Sequence, residues 1–305
     1  MKIQANNIEI EVDDQGPANA EPLLLIMGLG MQLVAWPQEL VTELIGRGYR
    51  VIRFDNRDIG LSQGFDDAGT PNVVATTLRA VMRLPVASPY KLRDMAQDAL
   101  GVLDALGIRQ AHVCGASMGG MIAQHLAAHH PTRVKSLTLV MTTSGASHLP
   151  QPSWRVRQAL LKKPGSRDLP GVVKHMIDLV HTIGSPGHRP DPVLLRKRLE
   201  AAFTRAYRPT GMLRQLVAIV ADGDRSAMLS QVKAPTAVIH GADDPLVPPG
   251  AANDLVAKIA GATLDMVPGM GHDLPLALLP RLAQGIHTNA QRASSNPATQ
   301  DRGRQ

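Results

Sequence analysis

Cysteine is the scarcest chemistry in this sequence. With Cys114 alone there is no partner within the chain, so an intramolecular disulfide is excluded. Its place at the end of a short apolar run reads as a small buried hydrophobe rather than a reactive thiol. Aromatic residues are nearly as scarce: three Phe, two Trp and three Tyr in 305 residues. The net charge of +6 invites a polyanion, but basic residues without interleaved aromatics offer no platform for stacking bases, so nucleic acid is not an expected partner. Long apolar runs are missing as well. The opening MKIQANN lacks the apolar region of a secretory signal, and no run reaches membrane-spanning length. Cytoplasmic residence without integral membrane association is therefore the expectation. No internal repeat is visible. His125 and His129 stand four apart on a helical pattern, but no acidic residue lies between them as in a zinc-protease pattern, so a surface or helix-end role is expected and no metal.

What the chain does contain is alternation. Strand-like runs at Glu9 to Val12, Leu23 to Met27, Val51 to Phe54, Ala111 to Cys114, Ser136 to Val140, Thr236 to His240 and Thr263 to Val267 are separated by helical patterns. Helices are expected at Pro37 to Arg47, Arg93 to Leu106, Met118 to His129, Gly250 to Ile259 and Pro275 to Ile286. That order predicts an α/β fold with a mostly parallel sheet flanked by helices. Alternation stops between about Gly145 and Ser230, where helices are broken by prolines and glycines. The expected organisation is a core of residues 1–144 and 231–287, an inserted helical cap over 145–230, and a polar, disordered tail over 288–305. Residues 147–230 carry 14 Lys and Arg against 6 Asp and Glu, a net of +8, so the outer face of the cap is expected to be strongly basic and solvated.

Chemistry concentrates in AHVCGASMGGMIAQHLAAHH, residues 111–130. Ser117 lies between Gly115 and Gly119 where an apolar strand gives way to a helix, the setting of a nucleophile elbow, whose tight turn needs neighbours without side chains. A second Gly-x-Ser-x-Gly, Gly60 to Gly64, follows a loop and runs into FDDAGTP, which cannot begin a helix, so Ser62 reads as a loop serine. A hydrolytic serine needs a base, and the base an orienting acid. Both have candidates at the C-terminal ends of later strands, where open parallel sheets present their ligand-facing residues. Asp243 and Asp244 follow the strand ending at His240, and His272 sits in the glycine-rich loop after Val267. His240 itself reads as structural.

With these motifs in hand, the chain resembles the α/β-hydrolases from about its first strand to residue 287. It is most similar in flavour to bacterial esterases of the aclacinomycin methylesterase type, through LLLIMGLGMQLVAWPQEL, FDNRDIGLS, HVCGASMGG and PGMGHDLP. The resemblance implies Ser117 as nucleophile, Asp244 rather than Asp243 as acid, and His272 as base. It also implies an oxyanion hole from the backbone N–H groups of Met118 and Leu29, each such donor being worth roughly 3 to 4 kcal/mol. Many relatives carry His-Gly where this chain has Met27-Gly28, which keeps the backbone donor but removes a side-chain hydrogen bond that ties the loop down. The segment with Arg53, Asp55, Arg57, Asp58 and Ser62 resembles a loop in which charged groups hold neighbouring loops together.

The expected activity is hydrolysis of carboxylic esters of small to medium apolar substrates through an acyl-enzyme. Lactone, thioester and carbon–carbon bond hydrolysis and cofactor-free perhydrolysis use the same triad, and a non-catalytic binding protein on this fold is the remaining alternative. Epoxide hydrolases and haloalkane dehalogenases of this fold need an aspartate at position 117. No cofactor or metal is required, and the expected partner is a small-molecule ester. Expected pocket walls are Gly28, Met31, Trp36, Met118, Met141, Leu246 and Met270, an apolar and adaptable set. The sequence sets no oligomeric state.

Overall fold

A computed structural model describes residues 1–294. Eight strands form one sheet in the order β1-β2-β4-β3-β5-β6-β7-β8, comprising β1 (Lys2–Ala5), β2 (Ile8–Gln15), β3 (Glu21–Ile26), β4 (Tyr49–Phe54), β5 (Ala111–Ala116), β6 (Val134–Val140), β7 (Thr236–Gly241) and β8 (Thr263–Val267). Only the β1-β2 and β2-β4 pairings are antiparallel. The helices are α1 (Gln38–Gly46), α2 (Val73–Val81), α3 (Leu92–Ala105), α4 (Met118–His129), α5 (Trp154–Leu161), α6 (Leu169–Ile183), α7 (Pro192–Arg205), α8 (Pro209–Asp222), α9 (Ser226–Leu229), α10 (Gly250–Lys258) and α11 (Leu279–Ser294). This is the mostly parallel, helix-flanked sheet read from the alternation.

The two-residue period of a strand divides β3 between two cores. Leu24 and Ile26 pack with Leu92, Met95, Ile122, Leu126 and Leu255 on the α3, α4 and α10 side. Leu23 and Leu25 pack with Leu40, Leu44, Leu282 and Ile286 on the α1 and α11 side. A strand covered on both faces must be apolar throughout, which is why LLLI reads as a continuous run.

Two elements carried weaker signals. β1 pairs with β2 across Asn6 and Asn7, both at positive φ (50° and 62°), the conformation of a two-residue hairpin turn that asparagine tolerates. α2 begins where the Asn72 side chain accepts from Ala75 N–H. The expected tail is corrected in its first part. α11 continues through Ser294 because Asn289, Ala290 and Ala293 are buried, and Asn289 Nδ2 donates to the carbonyls of Leu137 and Pro235. Polar composition concealed a helix whose amides serve strand ends. The rest of that expectation, residues 295–305, lies outside the described residues.

Between β6 and β7 the chain forms α5 to α9 and, among the described residues, no strand. Part of its charge turns inward rather than to the solvated outer face. Arg214 and Arg225 are 1% and 2% exposed in their side chains and face inward to Asp58 and Asp222, and Arg205 reaches Asp55. Among the described residues, no helix is long and apolar enough to cross a membrane.

Candidate active site

The turn between β5 and α4 is built by close backbone approach. A Cβ on Gly115 would lie 2.3 Å from the Gly119 carbonyl oxygen, and one on Gly119 would lie 2.0 Å from that of Ile26. Neither position can carry a side chain without moving the backbone. Ser117, between them, sits at φ 52°, ψ −120°, a strained region for a residue with a side chain. Its N–H donates to the Val140 carbonyl at 2.9 Å, and its carbonyl accepts from Thr142 Oγ1 at 2.7 Å. These bonds from the next strand hold the strained turn. Ser62, in the other Gly-x-Ser-x-Gly, is fully buried, donates to the Asp55 carbonyl and accepts from Glu11 N–H, a structural serine.

Three strand ends converge on Ser117 Oγ. His272 Nε2 lies 3.0 Å from it, and His272 Nδ1 lies 2.7 Å from Asp244 Oδ2. The other Asp244 oxygen accepts from the N–H groups of Leu246 and Val247 at 2.9 and 2.8 Å, which fixes the carboxylate with Oδ2 facing the imidazole. That orientation places the imidazole proton on Nδ1, leaving Nε2 to accept from Ser117. Asp243 is exposed and accepts instead from Gly269 N–H, tying the acid loop to the histidine loop. His240 is buried beneath Asp244 and donates through Nε2 to the Val247 carbonyl. Burial holds its pKa below the ordinary imidazole value, so it stays neutral and props the acid loop.

On the opposite side, Gly28 lies against the serine: a Cβ there would be 3.1 Å from Ser117 Cβ. The chain then turns through Leu29 and Gly30, closed by Met31 N–H donating to the Gly28 carbonyl. Among the described residues neither Leu29 N–H nor Met118 N–H is bonded to an acceptor, and Met118 opens α4, where the helix dipole favours negative charge.

The expected pocket walls separate into two groups. Gly28 lies against Ser117, Met31 (37% exposed) closes the turn that follows it, and the half-buried Leu246 donates its N–H to Asp244. Trp36 and Met141 are buried at 0% and 5% exposure, and Met270, also buried, lines a small apolar cavity with Leu274, Leu278 and Leu279. All three belong to the apolar cluster on the α1 and α11 side, where their bulk supports the sheet. The Met118 side chain is likewise buried, on the α4 side. His125 departs from its surface reading: it is buried and its Nε2 meets Asp222 at 2.9 Å. Among the described residues no cluster of three or more His, Cys, Asp or Glu is arranged to hold a metal.

The charged loop after β4 holds its neighbours, as its composition suggested. Asp58 pairs with Arg214 of α8 and accepts from Tyr90, Arg57 pairs with Asp98 of α3, and Asp55 accepts from Leu33 N–H and Arg205. Three buried residues had no sequence signal. Gln32 donates to the carbonyls of Ala202 and Ala206, Gln215 bonds to Gly30 and Arg57, and Ser185 accepts from Gly271 N–H. Each is an isolated polar residue in a loop or helix, and its partner is far away in the chain.

A family model described as the alpha/beta hydrolase fold matches residues 21–276. Rhodomycin D methylesterase DnrP of Streptomyces peucetius is 32% identical over 93% of this chain and 97% of its own length. A 2-hydroxy-6-oxononadienedioate/2-hydroxy-6-oxononatrienedioate hydrolase of Burkholderia vietnamiensis is 29% identical over 87% of this chain and 85% of its own. Among solved structures, a meta-cleavage product hydrolase from Pseudomonas fluorescens IP01 superposes with a TM-score of 0.72 at 19% identity, covering 96% of this chain and 98% of that one.

Proposed function

Because the chain belongs to the α/β-hydrolase fold family, we propose that it is a serine esterase that hydrolyses small to medium apolar carboxylic esters through an acyl-enzyme. The observation that carries this reading is the unbroken line Ser117 Oγ, His272, Asp244, at 3.0 and 2.7 Å. The similarity to a methylesterase supports the ester as the bond cleaved.

In the proposed cycle His272 Nε2 takes the Ser117 proton as Oγ attacks the ester carbonyl. The imidazolium so formed is stabilised by Asp244, whose own position is set by Leu246 and Val247. Negative charge on the former carbonyl oxygen is met by the N–H groups of Leu29 and Met118. His272 returns its proton to the leaving alcohol, then deprotonates water, which attacks the acyl-Ser117 ester and restores the serine. The strained φ of Ser117 lifts Oγ clear of the strand and keeps this geometry in place before substrate arrives. The helices between β6 and β7 serve in this reading as the cap over the acyl or alcohol pocket, with Met31 and Leu246 among its walls.

The test is hydrolysis of p-nitrophenyl esters of increasing acyl length beside the Ser117→Ala variant. Turnover that varies with acyl length and drops by about 10³-fold or more in the variant is the expected result. Wild-type turnover in Ser117→Ala overturns the mechanism. Silence across the series with turnover of lactones or thioesters replaces the bond type while retaining the triad.

A further inference from the structure

The turn that carries Leu29 has no hold of its own. Met27 offers no hydrogen-bonding side chain, and the Gly28–Met31 turn is closed only by the 3.2 Å bond from Met31 N–H to Gly28 O. Gly30, third in the turn, has φ 69°, the feature of a type II turn. In such a turn the central peptide, here the Leu29 C=O and Gly30 N–H, can flip to the type I orientation, which takes the turn out of the conformation that carries the neighbouring Leu29 N–H. What fixes that peptide comes from 185 residues away. The Gln215 side chain, fully buried on α8, accepts from Gly30 N–H at 2.9 Å and donates to the Arg57 carbonyl at 2.8 Å. Met212, one turn earlier on α8, fills the space over Gly30, 2.8 Å from where a Cβ would be. From behind, Asn56 Nδ2 donates to the Met27 carbonyl at 2.9 Å. The turn is thus clasped between the loop after β4 and a helix of the insertion.

We propose that Gln215 is a positioning residue for the oxyanion hole: by anchoring Gly30 N–H and tying it to the Arg57 carbonyl, it holds the whole Gly28–Met31 turn in place, and with it the Leu29 N–H of the adjoining Gly28–Leu29 peptide. The inference rests on the esterase reading above and goes beyond it, because it makes a helix of the insertion part of the transition-state machinery. Both hydrogen bonds of the amide are used, so neither function is redundant: the oxygen serves Gly30 and the nitrogen serves Arg57.

The experiment compares Gln215→Met and Gln215→Glu with the wild type. Gln215→Met keeps the volume and loses both bonds; Gln215→Glu keeps an acceptor for Gly30 and loses the donor to Arg57. In Gln215→Met, kcat for a p-nitrophenyl ester is expected to fall about 10- to 100-fold with KM within a few-fold, part of the 10²- to 10³-fold that a lost oxyanion donor costs. Affinity for a trifluoromethyl ketone, whose hemiketal oxyanion needs the hole, should fall by the same factor as kcat/KM. Inhibition by the unreactive secondary alcohol of the same skeleton should not change. Gln215→Glu should recover part of both losses. A merely structural role predicts equal weakening of both inhibitors, and that result overturns the proposal. So does wild-type kcat in a folded Gln215→Met. If Ser117→Ala retains activity, the esterase reading fails first; if Ser117→Ala is inert and Gln215→Met is unimpaired, only the role of Gln215 fails.

Discussion

The two walls of the site are held by different means. The nucleophile wall, β5 to α4, is made of backbone against backbone: Gly115, Gly119 and the carbonyls of Val140 and Ile26 define where Ser117 goes, with few side chains involved. The facing wall consists of loops whose positions are set by distant side chains. Gln215 holds the Gly28–Met31 turn, Ser185 and the Ile183 carbonyl hold the loop of Gly271 and His272, and Arg205 and Arg214 fasten the loop after β4. All of these come from the segment between β6 and β7. A site built this way separates two jobs: the sheet positions Ser117, and the segment between β6 and β7 fastens all three of these loops. Exchange of the insertion during divergence would change catalytic geometry along with the pocket.

The largest expected effect sharpens the contrast within one loop. Asp244→Asn should lower kcat/KM by about 10⁴-fold, because an amide at that place no longer selects the imidazole tautomer or stabilises its cation. Asp243→Asn, one residue earlier, touches only Gly269 N–H and should stay within a few-fold of wild type. Comparable losses in the two variants would break the assignment of roles. The experiment is steady-state kinetics on one ester, with circular dichroism to confirm folding.

Next in size is the fastening of the insertion. Arg214 and Asp58 have side chains 1% and 0% exposed, and Arg214 also reaches Asp66 and the Gly69 carbonyl. Arg214→Met strands a buried carboxylate and should cost about 3 to 5 kcal/mol in denaturant unfolding. The double variant with Asp58→Asn should recover much of that, since no unpaired charge remains. The pair also has an acid signature. Burial alone would raise the Asp58 pKa, but hydrogen bonds from Arg214, Phe65 N–H and Tyr90 bring it below the usual carboxylate value. A carboxylate with a depressed folded-state pKa contributes stability above its unfolded value, about 4, and loses it as pH falls through the folded value. The gap in stability between wild type and Arg214→Met should therefore be widest near neutrality and close in strong acid. A pH-independent gap would show that packing of the guanidinium, not its charge, carries the effect.

The same division explains what could be read from the sequence. Strands buried on both faces had to be apolar runs, and the elbow had to show glycines at two-residue spacing, so the parallel sheet, Ser117, the acid loop and His272 were all visible. α11 beyond Thr288 was not, because its buried positions carry Asn and Ala whose partners are strand-end carbonyls. Trp36, Met141 and Met270 are buried in the apolar cluster on the α1 and α11 side, and apolar residues near a catalytic motif look alike in sequence whether they face substrate or support the sheet. Gln32, Ser185 and Gln215 gave no pattern, since a lone polar residue reveals a tertiary bond only when its partner is known.

The smallest predicted effect probes the second hold of the insertion on the site. Ser185, buried just after α6, accepts from Gly271 N–H at 2.9 Å and donates to Asp273, while Ile183 accepts from His272 N–H at 2.7 Å. Burial raises the Asp273 carboxyl above its ordinary value, against the hydrogen bonds from Ser185 that lower it. Ser185→Ala removes the hydroxyl's bond to Asp273, keeps the one from its own backbone N–H, and leaves Gly271 N–H without its acceptor, so Asp273 should take up a proton at somewhat higher pH still. The backbone bond from His272 to Ile183 remains, and the imidazole should drift rather than leave, lowering kcat by about 3- to 10-fold, since displacements of this order at supporting residues act through alignment. Ser185→Thr keeps the hydroxyl and should restore most of the rate where its extra methyl is accommodated. The pH dependence of kcat separates the causes. If the histidine loop is held through Ser185, the loss in Ser185→Ala extends across the pH range; if Asp273 ionisation matters instead, the loss is concentrated on one side of its titration.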